Sequence, residues 1–356
     1  VARLVDDVWR DPRTELTLRA WEVDPHNLDF VRREVSGLLP GKCSMTLGYR
    51  SDTRASAKVE IEGAGPGDGS WVRLTLEAPG LPTEELGTLC VKSSRRDRAS
   101  GITTLDLQSA IWAISEDRLS WEWTVGAGTR TSVAIDRACA WCARPYVLLP
   151  GFRDGQYGST VGFERSDAFS TFLFDACSRA GDRMDVDGHG RLSFAPYTAP
   201  EAREPDWDVD ERDPRSVVLS SGRVDEDASG EAYGRTVVVH NIGSGDGQVA
   251  VTGEYDVPDT HAASFARRGF NRTKVREVQD MSPETGAEAS RLAERYSATD
   301  ADLGVTRTAT VMWCPVTAGD VIRWTDADGE TARLLVKTAE CSFERWDKEL
   351  TMEVLS

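Results

Sequence analysis

Histidine is scarce in this chain. The four present are His26, His189, His240 and His261, and none has a partner at metal-ligand spacing. The motif HExxH does not occur, which excludes a zincin helix. No serine stands in G-x-S-x-G, so the nucleophile elbow of the α/β-hydrolases is missing too. A P-loop is excluded because Ser36 stands where Gly41-Lys42 would need a preceding glycine. The Gly-rich stretches at 63–69 and 241–247 do not fit G-x-G-x-x-G between strand and helix. Nor is there an apolar run near the ~18 residues of a membrane-crossing helix. The first residues, Val1 to Trp9, carry acids where a signal peptide needs an apolar core. Lysine is rare as well: six of the 42 basic residues are lysines and 36 are arginines. That bias fits a gene of high GC content and carries no chemistry.

What is abundant is acid. There are 59 Asp and Glu, and the net charge over 356 residues is −17. A surface of that sign argues against general nucleic-acid binding, which draws its affinity from cations that displace counterions. It argues equally against residence on an anionic membrane. With 40% hydrophobic residues and 11 Trp, the chain can bury a core and is no disordered acidic tail. At roughly 150 residues per domain, two or three domains are expected. The seven cysteines are an odd number scattered through apolar segments. They read as buried thiols made in a reducing compartment, not as a secreted disulfide framework.

Several local patterns invite chemistry and then fail to support it. Cys139-Ala-Trp-Cys142 has redox or half-zinc spacing, yet both thiols fall on the apolar face of an expected helix and no second pair follows. In Asp185-Val-Asp187-Gly188-His-Gly190, alignment to a calcium loop puts Arg183 and Phe194 at ligand positions. A hairpin turn explains the same residues. Asp206, Asp208, Asp210 and Asp213 read as a solvated acidic face. Carboxylates are so numerous that a glycosidase pair has no diagnostic value. Asn271-Arg-Thr273 matches a glycosylation sequon that is frequent by chance. Trp112, Trp121 and Trp123 fit either an exposed carbohydrate platform or core packing. The expected face shared by Trp121 and Trp123 favours the core. No catalytic, cofactor-binding or metal-binding residue is therefore assigned.

The fold class expected is α+β, mainly β. Residues 1–115 read as short strands at Leu16–Arg19, Ser44–Gly48, Ala55–Ile61, Trp71–Leu76, Leu89–Val91 and Thr103–Leu107, the spacing of a small barrel or sandwich. Residues 116–205 read as α+β. A strand is expected at Trp121–Val125, then a helix from Ser132 to Ala143 with Ile135, Ala138, Cys139 and Cys142 inward. A second helix is capped by Ser166, buries Phe169, Phe172, Leu173, Ala176, Cys177 and Ala180, and ends at Gly181. A hairpin follows through Gly188–Gly190. The acidic stretch 201–214 reads as a linker or solvated loop. Residues 206–356 return to β, at Val217–Leu219, Thr236–His240, Val305–Trp313, Val321–Trp324, Arg333–Val336 and Leu350–Val354. Their one helix, 282–297, starts from a Ser282 cap with Pro283 next. It buries Ala289, Leu292, Ala293 and Tyr296, and Asp328-Gly329 supplies a later turn.

The order of these segments resembles the tail hub proteins of long-tailed bacteriophages, the minor tail or baseplate hub family, as found in phages of actinobacterial hosts. The resemblance rests on Val35-Ser-Gly-Leu-Leu-Pro-Gly-Lys-Cys-Ser-Met-Thr-Leu, Arg54-Ala-Ser-Ala-Lys-Val-Glu-Ile, Leu86-Gly-Thr-Leu-Cys-Val and Thr103-Thr-Leu-Asp-Leu-Gln-Ser. It continues through the two central helices, Asp187-Gly-His-Gly-Arg191, Gly234-Arg-Thr-Val-Val-Val, the alanine-rich helix, Ala318-Gly-Asp-Val-Ile-Arg and Leu350-Thr-Met-Glu-Val. Residues 251–281 have no counterpart in it.

The resemblance implies a phage tail hub-like fold, with two small β-barrels, 1–115 and 206–356, separated by the α+β domain 116–205. It implies a homotrimer at the virion tail tip, assembled in the host cytoplasm. Its six barrels would join a sixfold tail tube or distal tail ring to threefold tip components. Expected partners are distal tail or tail-tube proteins, the tape-measure protein and other tail-tip or fibre proteins. Specific nucleic-acid binding, membrane insertion, enzymatic activity and cofactors are not expected. The alternative is a receptor- or carbohydrate-binding tail protein, and after it a cell-wall hydrolase.

Overall fold

The computed structural model describes residues 3–4, 14–49, 53–226, 232–242, 249–259, 261, 263–278, 283, 285–301 and 305–355. The expected Ser282 cap and most of the 241–247 loop lie outside these residues. After β1 (Arg3–Leu4) come β2 (Thr17–Val23), β3 (Val31–Glu34), β4 (Ser44–Gly48), β5 (Ala55–Glu62), β6 (Trp71–Glu77), β7 (Glu84–Arg96) and β8 (Ile102–Gln108). Alternation sets their inner faces. β5 buries Ala57, Val59 and Ile61, and β8 buries Thr103, Leu105 and Leu107. β6 alternates in sequence but is covered on both sides. Val72, Leu74 and Leu76 enter one core, Trp71 enters another, and Arg73 and Thr75 are also buried.

The central segment holds α1 (Ala110–Glu116), β9 (Trp123–Val125), α2 (Thr131–Trp141), β10 (Tyr146–Leu148), β11 (Val161–Phe163), α3 (Phe169–Ala180), β12 (Asp182–Val186) and β13 (Leu192–Pro196). On α2, Ile135, Ala138, Cys139 and Cys142 are buried as their spacing predicts. α3 starts two residues later than a Ser166 cap would place it, with Ala168 at the cap position. Ser166 lies at φ +86° and its amide donates to Leu119 O at 2.9 Å. The bridge between Arg118 and Ala168 holds the chain extended up to Phe169. Gly181 closes the helix in the left-handed conformation, as expected. α1 is a helix that the strand-dominated reading of this stretch does not contain. It buries Ala110, Ile111 and Ile114.

The last segment holds β14 (Trp207–Asp210), β15 (Val218–Glu226), β16 (Arg235–Ile242), β17 (Val249–Asp256), α4 (Phe265–Arg268), β18 (Thr273–Glu277), α5 (Gly286–Asp300), β19 (Val305–Met312), β20 (Val321–Thr325), β21 (Thr331–Ser342) and β22 (Asp347–Leu355). The expected linker 201–214 is in part a strand. β14 runs parallel to both β1 and β20. Its acids tolerate this because Arg203, Arg323 and Arg212 pair with Asp206, Asp208 and Asp210 at 2.8–2.9 Å, while Val209 turns inward. α5 is shifted from the expected 282–297. Its cap is Thr285, whose side chain accepts from Glu288 N. The predicted face holds: Ala289 and Ala293 are buried, with Leu292 and Tyr296 beside them.

One 14-stranded sheet carries strands from both ends of the chain. β21 joins them. Its first half pairs with β20, from Thr331↔Thr325 to Leu335↔Val321. Its second half pairs with β4, from Thr338↔Gly48 to Ser342↔Ser44. A register shift between Val336 and Thr338 against β22 marks the change of partner. A single core therefore spans Leu18 to Leu107 and Val209 to Met352. A second lies around α1, α2 and α3, and a small third lies between α5 and the sheet β17–β16–β18. In the first core the buried Lys348 ammonium donates to the carbonyls of Cys314 (2.6 Å) and Val316 (3.0 Å). It also stands over the Trp313 ring at 4.4 Å.

Candidate assembly surface

The Asp187–Arg191 turn forms a joint. Asp187 accepts from Arg191 N and Nε at 2.9 and 2.8 Å, which fixes the β12–β13 hairpin. Its tip presses on β7, where Thr88 Oγ1 donates to Gly188 O at 3.0 Å. Gly190 sits at φ +81°, and a Cβ there would stand 2.9 Å from Thr88 Cβ. His189 lies between two carboxylates, with Nδ1 2.9 Å from Asp29 and Nε2 3.1 Å from Glu85. The buried Arg73 braces the same spot, donating to Thr88 Oγ1 at 3.1 Å and Leu28 O at 2.6 Å. The same two carboxylates flank the Arg73 guanidinium, at 4.0 Å from Asp29 and 3.6 Å from Glu85, so their charge is already met by a side-chain cation. The hairpin reading holds, and the group docks the central segment on the N-terminal strands. Only the paired glycines hint at this in the sequence.

The cysteines are all buried and free. Desolvation holds their thiols protonated, with Cys142 pushed up to about 11 and Cys139 higher still. A thiolate is the reactive and metal-binding form, so the Cys139-Ala-Trp-Cys142 pair is packing material. Among the described residues no group of three or more His, Cys, Asp or Glu is arranged to hold a metal ion. Burial also pushes the Asp320 carboxyl up to about 6, although it accepts from Trp207 Nε1 and Thr317 N, both at 2.9 Å.

Tryptophan divides between core and surface. Trp123 is buried, with its ring centroid 4.1 Å from Phe172 and 4.5 Å from Trp141. Trp121 precedes β9 and, like Trp123, packs on Trp141 of α2. It is 44% exposed and meets the edge of the 41% exposed Trp141 at 5.4 Å. The two rings form a small aromatic ledge, which spacing alone did not reveal because Trp141 comes from α2. Elsewhere a cleft of about 490 Å³ opens between the end of α3 and α5. Arg153, Arg179, Arg291 and Arg295 line it together with Asp175, Glu288 and Glu294, a wall of mixed charge.

Comparison with known proteins bears on the fold. No family model matches the chain, and no curated protein matches it by sequence. Solved structures do. The tail protein from Neisseria meningitidis MC58 superposes with a TM-score of 0.64 at 13% identity, covering 95% of this chain and 96% of that one. The chain has the fold of phage tail proteins. The 43 kDa tail protein of prophage MuSo2 from Shewanella oneidensis also gives 0.64, at 10% identity over 96% and 98% of the two chains. A prophage tail protein from Listeria monocytogenes gives 0.55, at 10% identity over 94% of each. The mainly β tail-protein fold thus extends over nearly the whole chain. No helix among the described residues is long and apolar enough to cross a membrane.

Proposed function

We propose that the chain is a structural virion protein, the trimeric hub at a phage tail tip. The observation that carries this reading is the tail-protein fold matched end to end, 95% of this chain on 96% of another. The β segments 1–115 and 206–356 supply the two barrels, and 116–205 stands between them. Three copies present six barrels to the sixfold tail tube or distal tail ring and threefold symmetry to the tip. Distal tail or tube subunits, the tape-measure protein and fibre proteins are the neighbours. The role is structural and not enzymatic. The arginine bias supports a high-GC, actinobacterial host. If the ring encloses the DNA path, the −17 charge lets DNA slide without adhering, because like charges repel. A lumen lined mainly by arginine in the assembled ring contradicts that last point. Mass by light scattering tests the oligomer. Three chains per particle are expected, and a stable monomer contradicts the trimer.

The exposed Trp121–Trp141 ledge favours a second reading, in which the same tail protein touches a cell-wall carbohydrate through stacked rings. Purified protein would then sediment with host cell wall. Trp121→Ala and Trp141→Ala would each abolish that binding. Retention of binding in both variants rules out this use of the ledge.

A further inference from the structure

The segment from Phe265 to Arg276 is chemically unlike the rest of the chain. It reads Phe-Ala-Arg-Arg-Gly-Phe-Asn-Arg-Thr-Lys-Val-Arg, with five basic residues and no acid. The remainder of the chain is consequently more negative than the whole. The structure folds this segment into α4 and β18, and β18 is the edge of its three-stranded sheet, pairing with β16 alone among the described residues. Arg272 and Lys274 stand over the Tyr233 ring at 4.6 and 5.2 Å, and Arg276 pairs with Asp300. The exposed Arg267, and Arg272 and Lys274, have no carboxylate partner among the described residues. The alternation of β18 turns Val275 the other way, and it is 61% exposed. Phe265 and Phe270 are 59% and 58% exposed.

Edge strands are normally blunted by outward charge, proline or a bulge. Here Val275 shares its exposed face with Thr273 and with Glu277, which accepts from Asn241 Nδ2, and Lys274 and Arg276 lie on the opposite face. An edge strand paired on one side only among the described residues, three exposed apolar side chains and the exposed Arg267 together mark a covered surface. The partner is protein rather than nucleic acid, because the apolar area of Phe265, Phe270 and Val275 gives a phosphate backbone no contact and the chain as a whole carries −17. It is also acidic, by complementarity. An acidic partner is at hand in the chain itself. Contact of one copy's basic ridge with the next copy's acidic surface is heterologous, and such contacts close into a ring when the rotation between copies closes.

We propose that the Phe265–Arg276 ridge is the surface by which each copy docks on the acidic surface of its neighbour. This rests on the trimeric reading above. The test is the sedimentation mass of the full chain and of Arg267→Glu, Arg267→Lys and Arg267→Glu/Phe270→Ser. All are compared at one concentration, in about 0.1 M and about 0.5 M salt, where exposed charges are screened differently. The wild type and Arg267→Lys should be trimers in low salt and lose mass in high salt. Arg267→Glu and the double variant should be monomers in both, with unchanged circular dichroism and melting. Should the double variant misfold, the exposed Arg267→Glu alone decides. A trimeric wild type with equally trimeric Glu variants overturns this surface and leaves the trimer standing. A monomeric wild type overturns both. Binding of a random-sequence DNA duplex that Arg267→Glu abolishes without changing mass assigns the ridge to nucleic acid and also overturns the proposal.

Discussion

At the scale of single residues, the fold depends on a few polar groups placed inside apolar surroundings. Lys348 is the clearest. Its ammonium occupies two carbonyls and an aromatic face in the main core. Lys348→Ala strands both carbonyls and is expected to cost about 2–4 kcal/mol, read as a lower urea midpoint. Asp320 is a second case. Its folded pKa, about 6, stands above the ordinary value near 4. Its contribution to stability is fully present below about pH 4 and is lost as pH rises through about 6. Asp320→Asn keeps an acceptor for Trp207 and Thr317. The variant should flatten the dependence of melting temperature on pH between about 4 and 7, and an unchanged slope would show that Asp320 does not titrate there. Gly190 needs its positive φ and its close approach to Thr88. Gly190→Ala should cost about 1–3 kcal/mol in a thermal melt.

At the scale of elements, periodicity was informative wherever one face met one core. The strands β4, β5 and β8 and the inner faces of α2, α3 and α5 lie where alternation or 3.6-residue spacing puts them. Boundaries fail where a nonlocal contact decides. Ser166 is an acceptable cap by type, yet the backbone is already pinned to Leu119 and Asp117. β14 reads as a solvated acidic loop because its neutralising arginines include Arg323, more than a hundred residues away. The aromatic ledge and the His189 joint were illegible for the same reason, since their members come from separate segments. The third core makes an element-scale prediction. Gly253 of β17 faces α5 so closely that a Cβ would overlap the backbone of Ala289 and Ser290. Gly253→Ala should lift α5 off the sheet. Amide exchange protection should then fall across β16, β17 and β18 and persist across β4, β5 and β8. Uniform loss would mean that the small sheet does not open as a separate unit.

At the scale of the whole molecule, β21 matters most. By pairing with β20, β22 and β4 it builds the two ends of the chain into one sheet, so the termini cannot move as independent beads. A rigid body of this kind suits the proposed hub, which would transmit symmetry between two assemblies. On the proposed reading, the strong net charge suits a surface past which DNA slides, and the ridge at 265–276 would serve contact between copies. Electron cryo-microscopy of the intact particle tests this account most directly. It predicts three copies of the chain closed into one ring at the tail tip, with six similar β lobes around an acidic channel. Finding the chain elsewhere in the particle, or at the tip as isolated copies outside the channel, would contradict it.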